Sequence, residues 1–169
     1  MEGPPVREFP NLGAFIAHLA QVQVAIPAAE RRGLRAGAEL IRDEARAEIG
    51  TYQRSETGPF APWRELADRT KADRLRLGFT ENDPLLRTGD MRDSIHCTIG
   101  THAALIGSNS DVALWQEMGT EGPHPGMDGY HVSPRHFLGV AAFRKGEQAA
   151  ALIGQHVAWT LAAQRGWNR

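Results

Sequence analysis

SIHCTIGTHAALIG, residues 94–107, is the stretch on which the fold class turns. Ile95, Cys97 and Ile99 alternate with Ser94, His96 and Thr98. That period of two belongs to a half-buried strand, because successive side chains of an extended chain point to opposite faces. Gly100 and Thr101 suit a turn, and the run His102 to Gly107 returns antiparallel, so the pattern predicts a hairpin whose register is set by the face that meets the rest of the chain. The segments on either side have helical spacing. The expected fold is α+β, with N-terminal helices and a long C-terminal helix packed on a small antiparallel sheet.

Working upstream, Pro4, Pro5 and Pro10 make the first ten residues an extended arm, since each fixes its own φ and pushes the preceding residue away from helix. Asn11 is placed to cap a short helix in which Leu12, Phe15, Ile16, Leu19 and Val22 share one apolar face. Pro27 fits the first position of a second helix running to about Ile49, with Leu34, Ala38, Ile41 and Ala45 inward, Gly50 as its stop, and Gly33 and Gly37 as weak points. This divides the chain into an arm with a short helix, 1–27, and an α+β domain, 28–169. Residues 50–62 carry the composition of a loop, and a short charged helix from Trp63 to about Leu75 is anchored by Trp63 and Leu66.

Downstream of the hairpin, Asp111 is suited to cap a turn or two of helix presenting Trp115 and Met118, which Gly119 ends. Four glycines and two prolines make residues 119–129 a loop, a length that is usually mobile or functional. Ser133 and Pro134 open the last helix, a hydroxyl cap followed by proline in the first turn, and it runs through Phe137, Leu138, Leu152, Ile153, Val157 and Leu161 to Gly166.

Composition bounds the rest. Of 169 residues, 19 are Lys or Arg and 20 Asp or Glu, a formal charge of −1; 41% are hydrophobic and 23% charged. With a mean hydropathy of −0.39, these are the values of an ordinary soluble globular chain. Near neutrality argues against a dedicated nucleic-acid binder, which needs Lys and Arg gathered on one face. Charge varies along the chain: the middle, 79–128, is acidic and the end, 129–169, basic, a pairing suited to contact between copies or within one monomer. A lone cysteine, Cys97, fits a reducing compartment and synthesis in the cytoplasm. The uncharged run Pro10 to Ala29 is broken by His18, Gln21, Gln23 and Pro27 and is expected to be a poor membrane span, and Met1 to Pro10 lacks the features of a secretory signal.

Reacting groups are sparse. His124, His131 and His136, with Asp128 or Glu121, offer nitrogen and oxygen donors near the loop, but their spacing matches no closed zinc site. A small metal-dependent hydrolase built on those histidines is the alternative reading. Asp93, Ser94 and His96 are close in sequence, yet strand alternation separates Asp93 from the other two and no nucleophile elbow is present. Cys97 falls on the apolar side of its strand, where a thiol packs as a small hydrophobe. Arg64, Arg69, Lys71, Arg74 and Arg76 are interleaved with Glu65, Asp68 and Asp73, the pattern of a salt-bridged solvent face and, as a third reading, of a DNA-contacting helix. No cofactor or metal is expected, and no nucleotide-binding glycine pattern occurs.

Four segments in order, PWRELADRT (62–70), PLLRTGDMRDSI (84–95), IGSNSDVALWQEMGT (106–120) and SPRHFLGVA (133–141), resemble the phage virion morphogenesis or tail-completion proteins. That family comprises Mu-type proteins and head–tail joining proteins of long-tailed phages. Its pattern is a tryptophan-led W-x-x-L-x-x-x-T, then L-x-x-TG-x-L-x-x-SI, a glycine ending a strand, an alanine-led turn ending in Q/E-x-G, and R-P-F-L-G opening the last helix. Here these are Trp63, Leu66 and Thr70; Leu85, Thr88, Gly89, Met91, Ser94 and Ile95; Gly107; Ala113, Gln116 and Gly119; and Arg135, Phe137, Leu138 and Gly139, following Pro134. Coverage is roughly Ala28 to Ala163. His136 stands where the family usually has proline, Met91 where it has leucine, and Trp115 where histidine is common.

The resemblance implies a non-enzymatic protein of the phage neck or upper tail, assembled in the host cytoplasm, which completes the tail or joins it to the head as part of a homo-oligomeric ring. Tail-terminator and head-closure duties are the neighbouring roles. Its partners would be other copies of itself and adjacent neck and tail proteins. Genomic DNA would only pass through the channel, without sequence-specific binding, and no membrane would be involved. Trp115, Gln116, Met118 and Arg135, with Glu121, His124, Met127 and Tyr130 of the loop, are the expected contacts to neighbouring subunits or partners.

Overall fold

The computed structural model describes residues 8–120 and 131–164. The order is α1 (Leu12–Glu48), α2 (Asp68–Arg76), α3 (Asp90–Asp93), β1 (Ile95–Ile99), β2 (Ala104–Ser108), α4 (Asp111–Met118) and α5 (Leu138–Gln164). The architecture is α+β: a long N-terminal and a long C-terminal helix with one two-stranded antiparallel hairpin. In the hairpin Ile95 faces Ser108, Cys97 faces Ile106 and Ile99 faces Ala104. Ile95 is fully buried and His96 exposed, the alternation read from the sequence.

Asn11 caps α1 as expected, its side chain accepting from the Ala14 N–H at 2.8 Å. The break expected at Pro27 is absent: α1 is one helix of 37 residues with Pro27 inside it, and it runs without interruption across the 27/28 boundary. A proline at the first helical position and one in the interior have the same φ, so local sequence cannot tell them apart. The interior position forfeits a hydrogen bond to Gln23 and crowds its carbonyl. Packing of the following turns against α5, beginning at the fully buried Ala29, offsets that cost.

Gly33 and Gly37 are where that packing is closest. A Cβ on Gly33 would lie 2.7 Å from the Cα of Ile153, and one on Gly37 would lie 3.1 Å from the Ala149 carbonyl oxygen. Ascending α1, from Gly33 to Gly37 to Glu48, meets descending α5, from Ile153 to Ala149 to Arg144, so the two helices are antiparallel. The glycines that weaken α1 as an isolated helix are what lets the two backbones approach.

Beyond that contact lies the core, where Ala45 of α1, Ile49 just past its end, Trp63, Met91, Ile95, Ala113, Phe137 and Ala141 form one buried cluster. Arg46 ties α1 to the hairpin by donating to the Ile95 carbonyl at 2.6 Å. Glu48 pairs with Arg144 across the helix interface. Burial pushes the Glu48 carboxyl above its ordinary range, with Arg144 opposing the shift.

Three further boundaries differ from expectation. Trp63 lies outside a helix, in extended chain held by its N–H to the Gln53 carbonyl at 2.9 Å, and α2 starts only at Asp68. Ser110, not Asp111, occupies the cap position of α4. Finally, α5 starts at Leu138 rather than at Pro134.

The N-terminal part of α1 carries exposed apolar side chains. Gln164, the last described residue of α5, borders the same shallow depression as Ala20, Gln21, Val24 and Ala25. Leu12, Ile16 and Leu19 lie beyond it, 71%, 57% and 48% exposed. An 18-residue window of α1 has a mean hydropathy of 1.5, enough to cross a membrane by length and composition alone, a test that core helices of soluble proteins also pass. The same stripe also suits a helix buried within a protein assembly.

Gly33→Ala is expected to lower the melting temperature even though alanine is the better helix former. Gly146→Ala and Gly154→Ala, where an added Cβ meets nothing within 4 Å, should each stabilise by about 0.5–1 kcal/mol in urea denaturation. Because the raised Glu48 carboxyl favours the protonated folded state, its ionisation removes stability as pH rises from the ordinary carboxylate range through the raised folded value. Glu48→Gln should remove that decline, read from unfolding midpoints across the interval.

Candidate functional site

The four sequence segments converge on one cleft of about 420 Å³. Leu66 and Thr70 come from the first segment, Leu85, Arg87, Thr88, Gly89 and Met91 from the second, Gln116 from the third and Arg135 from the fourth, with Arg74 between the first two. Gly89 enters α3 with φ 96°, the left-handed region that glycine tolerates. Thr88 accepts from the Asp90 N–H at 3.3 Å and its hydroxyl donates to the Asp90 carboxylate at 2.8 Å. Leu85 also has a positive φ, 64°, a strained value for a branched residue. It is held there by the fully buried Pro84, whose carbonyl accepts from the Gly50 N–H at 2.8 Å.

Two guanidiniums at the cleft are buried. Arg74, 5% exposed, donates to the Thr80 carbonyl at 2.7 Å and to the Leu86 carbonyl at 2.5 Å. This corrects its assignment to a solvent-facing charged surface, whereas Lys71 and Arg76 of that helix are in surface ion pairs with Glu65 and Asp73. Arg135, 9% exposed, donates to the Arg64 carbonyl at 3.1 Å and to the Gln116 side chain at 3.4 Å, while its Nε has no partner. Among the described residues neither Arg74 nor Arg135 is paired with a carboxylate. Burial holds the Arg135 guanidinium below its ordinary pKa, with Tyr52 opposing.

A second construction lies beside the cleft. The Glu117 carboxylate, on the last turn of α4, accepts from the Phe137, Leu138 and Gly139 N–H groups at 2.8, 2.9 and 2.9 Å. These are the orphan donors at the start of α5, satisfied from another helix instead of by a local cap. Gly139 fits because a Cβ there would lie 2.6 Å from the Phe60 ring and 3.2 Å from the Glu117 carboxylate. The sequence reading passed over Glu117; the signal was present in Gln116-Glu117-x-Gly119, but the cap acts over 20 residues and no local spacing reveals it.

Of the remaining motif residues, Trp63, Ile95 and Phe137 are buried in the core. Ser94 bonds the Met91 carbonyl and the Ser108 hydroxyl, each at 2.6 Å. Gly107 pairs with His96 inside β2 rather than ending it, and Gly119 ends α4 with φ 73°. Met118 is 68% exposed, and Trp115 is half-buried. Glu121, His124, Met127 and Tyr130 lie outside the described residues. His131 is exposed beside the Thr120 carbonyl, whereas the His136 ring lies tilted against Phe60, centroids 5.0 Å apart, and 3.8 Å from Glu117. Among the described residues no three His, Cys, Asp or Glu side chains are placed to hold a metal ion. No protein-family model matches the chain, and neither does any curated protein or solved structure.

Glu117→Ala leaves three donors at a largely buried helix start without their acceptor and should cost about 1–3 kcal/mol in denaturant unfolding. Glu117→Gln keeps an acceptor oxygen and should cost less.

Proposed function

We propose that the chain is a structural assembly protein of the phage neck or upper tail, completing the tail or joining it to the head within a homo-oligomeric ring. The observation that carries the reading is the exposed apolar stripe near the start of α1. Leu12, Phe15, Ile16 and Leu19 follow helical spacing and are 40–71% exposed, while the core is filled by other residues. Within the chain Phe9 packs edge-on against Phe15 at 5.3 Å, and a neighbouring copy that covered the area still exposed would gain part of the about 1.5–3 kcal/mol that full burial of each large side chain contributes. A closed ring needs two different patches on each subunit, and the exposed stripe would supply one of them.

The motif resemblance is consistent with this role. Its apolar members, Trp63, Met91, Ile95, Ala113 and Phe137, fill one core, and Glu117 within the third segment fastens the fourth. These are tasks of a scaffold. The ring, its place at the head–tail joint and its partners come from the resemblance, and the stripe is the surface through which assembly would act.

Ile16→Asp combined with Leu19→Asp should reduce self-association by roughly tenfold or more in light scattering, with the melting temperature of the monomer unchanged. In lysates of cells producing the virion, gold-labelled antibody to the chain should decorate the head–tail joint of tailed particles. Label absent from every particle would overturn the assignment.

A further inference from the structure

We propose that the cleft between α2, α3, α4 and the segment preceding α5 is a receptor for a carboxylate carried on an apolar body. The inference stands apart from the assembly reading, since it rests on the cleft and not on the exposed stripe.

Buried charges are ordinarily paired, because removing an ion from water costs several kcal/mol that neutral carbonyls only partly return. Arg74 and Arg135 both break that rule, and both border the same cavity. Arg74 commits Nε and Nη2 to the Thr80 carbonyl and hydroxyl and the Leu86 carbonyl and contributes its field. Arg135 is less committed: Nη1 reaches Gln116 at 3.4 Å, longer than an ordinary N–H···O bond, so a stronger acceptor arriving in the cleft can take that donor.

Charge and shape select the ligand. Arg87 is answered outside by Asp73 at 3.1 Å, and the lining carries one carboxylate, Asp90. The remaining positive excess is small, and Asp90 repels a multiply charged anion such as phosphate more than a monoanion. Leu66, Leu85, Met91 and Val112 supply apolar walls, a surface that an inorganic anion leaves unused. The cavity volume falls in the range of small-ligand pockets. A branched-chain acid or the C-terminal carboxylate of a chain ending in an apolar residue presents this combination.

The probes are isovalerate, the tripeptide acetyl-Ala-Ala-Leu with a free C-terminus, the same tripeptide as its C-terminal amide, and inorganic phosphate, each titrated into the full chain by calorimetry and by NMR of arginine Nε–H groups. Both carboxylates should bind and shift the Arg135 resonance, and the amide should bind at least tenfold more weakly. Tighter binding of the tripeptide than of isovalerate identifies a chain terminus as the source; equal binding identifies a free acid. Arg135→Gln should abolish binding, and since that buried position also affects folding, Val112→Asp provides an independent variant. Val112 is 47% exposed in the first turn of α4, where an aspartate is well tolerated and would fill the cleft mouth with a tethered carboxylate. Val112→Asp should fold normally and weaken both ligands at least tenfold, with Val112→Asn retaining binding. Equal binding of acid and amide, tighter binding of phosphate, or no binding by either carboxylate at about 10 mM overturns the proposal.

Discussion

Helix α5 begins where Glu117 allows it to begin. The first N–H groups of any helix need acceptors, and at this start they lie against Phe60, Phe137 and the end of α4, largely away from water. One carboxylate reached across 20 residues satisfies three of them and thereby sets both the position and the direction of α5. Phe137, fully buried, is seated by the same contact. From there α5 runs back along α1, and the hairpin and the cleft take their places around the root of that pair.

The interface that α5 then makes is governed by small residues. Gly33, Gly37 and Ala149 bring two backbones together where ordinary side chains would hold them apart. Dispersion contacts add up only at such distances, so the pair gains from closeness what it lacks in large apolar side chains. The larger apolar groups are concentrated near the C-terminal end of α1, around Trp63, Ile95 and Phe137.

The hairpin, the Asn11 cap and the Gly119 stop were legible in the sequence, because each depends on residues within a few positions of one another. The uninterrupted α1 was not, since proline has the same φ in both candidate positions and the decision lies with α5, more than a hundred residues away. The late start of α5 was hidden for a related reason: Ser133 and Pro134 have the composition of a local cap, but Arg135 is drawn to the Gln116 carbonyl at 2.6 Å and Glu117 supplies the cap instead. Arg74 has the spacing of a surface arginine, and only the folded loop at Thr80 and Leu86 shows where its donors go. The cleft itself follows from four distant segments meeting, which periodicity alone does not encode.

The length of α1 has a consequence for how this chain tolerates insertions. Its 37 residues span about 55 Å, and Leu12, Ile16 and Leu19 near its start are exposed. A single residue gained or lost between the tip and Ala29 would leave the packed root as it is, yet swing the apolar stripe by about 100° around the helix axis and move it by about 1.5 Å. Seven residues would nearly restore its bearing while extending it by about 10 Å. Reach and aim in this rod are therefore coupled, and its length can drift only in steps that keep the stripe pointing the same way.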